Sequence, residues 1–138
     1  MIPTSIYIAG PMRGIPQFNF PSFDAARIRL GSAGWNVRCP AERDRNADFD
    51  PVGLSGREDL DEIGFNLPDA LKHCFLDVLD VDAVALLPGW TGSEGARAEA
   101  HVAALTGRTL YQFFQHRPIM LEPLDGIEIV TRVETMLR

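Results

Sequence analysis

Residues 82–99 read DAVALLPGWTGSEGARAE, and the fold can be worked out from this stretch. Asp82 to Leu87 is almost wholly apolar, the signature of a short strand buried on both faces of a parallel sheet. Pro88 and Gly89 stop it, and Trp90 stands on the exit loop. Ser93 is well placed as the N-cap of a helix from Glu94 to about Thr106, closed by Gly107. Thr109 to Phe114 then reads as another strand. Strand, short loop, helix and strand in that order make a βαβ unit.

The same grammar extends toward the N-terminus. Ser5 to Ala9 forms a first strand, stopped by Gly10, Pro11, Met12, Arg13 and Gly14. Phe23, Ala26, Leu30 and Ala33 recur at helical spacing, with Pro21 near the start and Gly34 near the end. Trp35 to Cys39 reads as a second strand, and Leu71, Cys74, Phe75, Val78 and Leu79 mark an amphipathic helix before strand 3. A terminal helix is expected from Asp125 onward, with Ile129, Val133 and Met136 or Leu137 facing inward. Between these patterns, residues 41–66 lose all periodicity. Such a segment is a lid, a binding loop or a partner contact, or else a solvated insertion with one short helix. The sum is one α/β domain over residues 1–138, a doubly wound, flavodoxin- or Rossmann-like parallel sheet of four to five strands with helices on both faces.

Strand order 2-1-3-4 would turn the loops after strands 1 and 3 toward one crevice, where such sheets bind ligands. The candidate chemistry gathers there. Gly95, Glu99 and Ala103 form one helical ridge beside a packed face of Ala98, Val102 and Leu105, so Glu99 should be partly desolvated. Burial would raise its pKa and the helix N-terminus would lower it, while an ordinary surface glutamate remains the plain alternative. Arg13 either clamps a phosphate or pairs with an acidic loop residue. Tyr7 is core by default, though its hydroxyl could reach the crevice. Phe18, Phe20 and Phe23 could stack on a base or simply pack, and Trp90 is equally ambiguous.

Composition narrows the field. A net charge of -6 speaks against a nucleic-acid polymer as partner, although a helix N-terminus and one or two arginines can hold a single phosphate. Cys39 and Cys74 read as reduced thiols in or near the core. His73, His101 and His116 are scattered, so no zinc site and no cofactor is expected. No export signal or membrane-spanning run is visible, and a cytoplasmic location follows as an expectation.

The strings YIAGPMRG, FNFPSFDAA, PAERD and LLPGWTGSEGARAEAHVA together resemble the nucleoside 2-deoxyribosyltransferase-like superfamily, in a branch found in phages and bacteria. The likeness spans roughly residues 5–114 and is similar in layout to the 2'-deoxynucleoside 5'-monophosphate N-glycosidases. It implies that Glu99 attacks the anomeric carbon, and that Gly10, Arg13, Gly14 and Ser93 touch a 5'-phosphate. It also implies a hydrolase acting on a nucleotide or nucleoside, deoxy- and modified-base compounds included, and a homodimer or larger assembly. Tyr111 to Phe114 and the terminal helix are candidate surfaces for that assembly. The PGW-TGSEGARAE loop is also loosely similar to that of the lysine-decarboxylase-like phosphoribohydrolases, which supports the ligand class alone. One departure stands out: where relatives carry an aspartate, this chain has Cys74, and Asp77 is a weak substitute. Proton delivery to the leaving base is then in question. Two further readings follow, a base-exchanging deoxyribosyltransferase and a nucleotide-binding sensor without turnover.

Overall fold

The computed structural model describes residues 4–125. The expected terminal helix lies outside the described residues. Within them the strands are β1 (Ser5–Ala9), β2 (Asn36–Arg38), β3 (Ala83–Leu86), β4 (Thr109–Phe113) and β5 (Leu121–Leu124). The helices are α1 (Phe20–Ser32), α2 (Pro40–Asn46), α3 (Leu67–Asp80) and α4 (Glu94–Leu105). The strands form a single five-stranded sheet in the order β2-β1-β3-β4-β5. The β1·β2, β1·β3 and β3·β4 pairs are parallel, and β5 returns antiparallel to β4.

The alternation of side chains along β1 builds two cores. Ile6 and Ile8 face α1, packing with Phe20, Phe23, Ala26 and Leu30. Tyr7 and Ala9 face the other way, toward Val78 of α3 and Ala96, Ala100 and Ala103 of α4. The buried face of α4 is therefore Ala96, Glu99, Ala100 and Ala103, with Val102 half-buried beside it and Ala98 and Leu105 off it. Leu105 is 66% exposed. Small residues let the helix backbone lie close to the sheet, and that close approach outweighs the larger side chains as the choice of inner face.

Two further departures from the sequence reading bear on the site. Pro40 ends β2, as expected, yet the same locked φ that stops a strand suits the first turn of a helix, and α2 begins there. The sequence around Leu121–Leu124 carries no strand pattern because Pro123 interrupts it, but an edge strand tolerates a proline. With β5 alongside it, β4 is an interior strand, and Tyr111 packs edge-on against Trp35 at 6.2 Å. Tyr111 to Phe114 is thus not the free surface it was expected to offer. Among the described residues, no helix is long and apolar enough to cross a membrane.

Candidate active site

A cleft of about 670 Å³ opens at the C-terminal ends of β1 and β3, within the roughly 300–1,000 Å³ range of small-molecule sites. Its location follows from topology: the chain leaves β1 toward β2 on one side and reaches β3 on the other, so the loops diverge there. The lining includes Tyr7, Gly10, Pro11, Met12, Arg13, Phe18, Phe20, Cys74, Ser93, Gly95 and Glu99. These residues, singled out along the sequence, are brought together.

Glu99 sits on the inner face of α4, 8% exposed, and its Oε2 has no hydrogen-bond partner among the described residues. Tyr7 rises from β1 on the same side of the sheet, fully buried, and its hydroxyl also lacks a partner of good hydrogen-bonding geometry. The two groups still act on each other electrostatically. Burial pushes the Glu99 carboxyl up to about 7, and the nearby Tyr7 hydroxyl tempers the rise. Burial, followed by the charges of Glu99 and Cys74, raises Tyr7 well above its ordinary value, so it keeps its proton. Cys74 looks in from α3, and burial together with Glu99 pushes its thiol up to about 12. A thiol held this way does not replace a missing carboxylic acid as a proton source.

The first turn of α4 forms one rim. The hydroxyl of Ser93 accepts from the Ala96 amide at 3.2 Å, the expected cap, and Ser93, Glu94 and Gly95 all border the cleft. The amides of Glu94 and Gly95 have no intrahelical acceptor, so the positive end of the helix faces the opening. Across from it, Gly10 allows tight passage: a Cβ there would sit 2.8 Å from Leu87 Cβ. Arg13 lines the rim and is exposed, donating to the Glu58 carbonyl at 2.9 Å with its guanidinium 5.8 Å from the Phe18 ring centre.

Phe18 enters the cleft from an unusual turn. Gln17, Phe18 and Asn19 carry φ of 57°, 51° and 62°, a left-handed run that costs roughly 1–2 kcal/mol per residue. Asn19 helps hold it by donating from Nδ2 to the Pro11 carbonyl at 2.8 Å. The segment 41–66 closes the wall. Phe49 lies 5.9 Å from Phe18, 5.8 Å from Phe20 and 5.0 Å from Phe65, ring centre to ring centre. Gly14 donates to the Gly56 carbonyl and Gln17 to the Leu54 carbonyl, each at 2.8 Å, which ties this segment to the loop after β1. Asp44, Phe49, Leu60 and Phe65 of this segment thus form a wall of the cleft, while most of its other residues are exposed and its start is the short helix α2.

Four of the expected site residues stand outside the lining. Asp77 is buried on α3 and held between Arg38 at 3.0 Å and Arg43 at 2.7 Å. Trp90 is buried, its Nε1 donating to Gln112 Oε1 at 3.1 Å. Gly89, with φ of 86°, makes the turn after β3, and Gly14, with φ of 83°, makes the turn beyond Arg13. In the other direction the sequence reading missed Asp44, Phe49, Leu60 and Phe65, all in the lining. The available signal was apolar residues in an otherwise charged segment, and for Asp44 there was none.

A second cavity of about 720 Å³ adjoins the first, sharing Asp44, Phe49, Phe65 and Ala70. Among the described residues, no group of three or more His, Cys, Asp or Glu side chains is placed to hold a metal ion.

Comparison with known proteins returns one family. Residues 4–112 match the family described as a domain of unknown function, DUF4406. No curated protein and no solved structure matches the chain. The match takes in β1 to β3, all but the last residue of β4, and every residue of the cleft, so the chain belongs to the DUF4406 family.

Proposed function

We propose that this protein hydrolyses the N-glycosidic bond of a nucleoside 5'-monophosphate or nucleoside, deoxy- and modified-base compounds included, with Glu99 as nucleophile. The observation that carries the reading is Glu99 itself: a buried carboxylate on the floor of a cleft, its Oε2 without a hydrogen-bond partner among the described residues. Around it are an aromatic wall, which suits a base, and a helix N-terminus with Arg13 at the rim, which suits a phosphate. A solvent-excluded carboxylate with a pKa near neutrality is the kind of group enzymes place at reacting carbons. Ionised, it attacks the anomeric carbon as the bond to the base breaks, and water then releases the sugar from the ester.

The resemblance to the nucleoside 2-deoxyribosyltransferase-like superfamily supports the same ligand class. Cys74 in place of an aspartate favours a second reading, a nucleotide-binding sensor without turnover. A base-exchanging transferase is distinguished by its need for an acceptor. We further propose a cytoplasmic protein that self-associates, since Leu67, Leu71, Leu76, Leu79 and Leu105 are all exposed on α3 and α4. Light scattering on the purified chain tests that point.

The test of function is chromatographic. The protein and its Glu99→Ala variant are incubated with ribo- and deoxyribonucleoside 5'-monophosphates and nucleosides, with and without an added free base. Free base from the wild type alone supports the hydrolase, and dependence on the added base favours the transferase. Nucleotide-induced thermal stabilisation without any product sinks both and leaves the sensor.

A further inference from the structure

The cleft holds a second buried carboxyl group that the reading above does not use. Asp44, on α2, is 8% exposed and lines both the Glu99 cleft and the adjoining cavity. No hydrogen bond or ion pair engages its side chain among the described residues. Asp44, Cys74 and Glu99 all line the same cleft, and, after burial, the charges of Glu99, Asp44 and Asp77 all raise the Cys74 thiol. We propose that Asp44 is the general acid of the N-glycosidic cleavage, taking the role for which relatives carry an aspartate where this chain has Cys74. This rests on the hydrolytic reading of the Glu99 cleft.

The alternatives in and near the cleft are each disqualified by their surroundings. Asp77 is clamped by two guanidinium groups and lines the adjoining cavity but not the Glu99 cleft. Cys74 and Tyr7 both hold their protons more tightly than a free thiol or phenol. Burial pushes Asp44 up to about 6, against the pull of Arg43, so it carries a proton in part of the population near neutral pH. Burial pushes Glu99 to about 7, so the reactive form, with Glu99 ionised and Asp44 protonated, is the minor of the two singly ionised forms and is most populated between about pH 6 and 7.

The step balances. A Glu99 carboxylate oxygen bonds to the anomeric carbon while the bond from that carbon to the base nitrogen breaks, its electron pair leaving with the base. The Asp44 proton passes to the base, which departs neutral. Water then attacks the anomeric carbon and gives a proton to the Asp44 carboxylate, and Glu99 is released. The sum is nucleotide plus water giving base plus sugar phosphate. The adjoining cavity gives Asp44 a second face through which water can reach it.

The test compares two leaving groups in the wild type, Asp44→Asn and Asp44→Ser, with folding checked by circular dichroism. One substrate is the preferred purine nucleotide, and the other is its N7-methylated form, whose cationic base leaves without a proton. Loss of the acid should lower base release from the ordinary nucleotide by about 10²–10⁴-fold and leave the methylated one within about tenfold. Equal losses on both substrates, or no loss on the ordinary one, overturn the assignment while the hydrolytic reading stands. If the wild type releases base from neither, nor from any nucleotide or nucleoside of the panel above, the hydrolytic reading fails and this role fails with it. Should Asn misfold, the Ser variant carries the comparison.

Discussion

Replacing Glu99 by Gln should stabilise the protein at alkaline pH, and by an amount the structure sets. The carboxyl ionises at about 7 in the folded chain against an ordinary 4.5. The folded state therefore holds the proton more tightly than the unfolded one. Stability is highest below 4.5, falls as the pH rises toward 7, and is level above it. At 1.36 kcal/mol per pH unit, the gap between 4.5 and about 7 amounts to about 3 kcal/mol of lost stability. Most of that loss falls between pH 5 and 8.5, so the advantage of Glu99→Gln should grow by about 2–3 kcal/mol across that range. In thermal unfolding this is a widening of melting-temperature difference on the order of 5–10 °C for a chain of this size. The constant cost of burying an amide cancels, because only the change with pH is read. Urea or thermal melts of both proteins at the two pH values measure it. A difference that stays flat from pH 5 to 8.5 would refute the claim that burial governs the Glu99 carboxyl.

Three other outcomes follow. Because Glu99 must be ionised and Asp44 protonated, base release should peak between about pH 6 and 7 and fall on both sides, as a property of the pair. Steady-state rates across pH 5–9 check this, and a plateau through pH 8.5 contradicts it. Asp77→Asn should cost only about 1–2 kcal/mol, because Arg38 and Arg43 are 41% and 38% exposed and can turn to water. It should leave base release per folded molecule within a few-fold, whereas a loss of a hundredfold or more would give Asp77 a part in the chemistry. Gly56→Ala puts a Cβ 2.0 Å from the Ile15 carbonyl oxygen at a φ of +90°, so the wall should detach from the loop after β1. About 3 kcal/mol of stability and most ligand affinity should go with it, by thermal unfolding and calorimetry, and wild-type behaviour in both would show the tie to be dispensable.

The parts of this protein legible in the sequence are those whose periodicity reports burial. The continuous apolar run of Ala83–Leu86 and the glycine-bounded run of Ser5–Ala9 mark interior strands, and the parallel order around them follows. At Glu99 the spacing left a partly desolvated carboxylate and an ordinary surface glutamate both open, the resemblance singled it out, and the structure buries it. Asp44 was not legible, because α2 is short and charged, and nothing local says that residues 41–66 fold back to make a wall. That wall depends on Phe49 meeting Phe18, Phe20 and Phe65, contacts made across the fold rather than along the chain. Trp90 misled for the opposite reason. An aromatic on an exit loop suggests a ligand, but a partner for its indole N–H lies on β4, in Gln112, and the ring is spent on the core.

The most direct test of the account is the mass of the enzyme during turnover. The nucleotide that yields free base fastest is prepared with fluorine at the 2'-arabino position, which slows both formation and breakdown of a glycosyl ester. It is mixed with the wild type and with Glu99→Gln, then acid-quenched for intact mass and peptide mapping. The expected result is one added sugar phosphate on the wild type, mapped to Glu99, and none on the variant. Base released with the sugar on another residue, or released as fast by Glu99→Gln, would contradict the account.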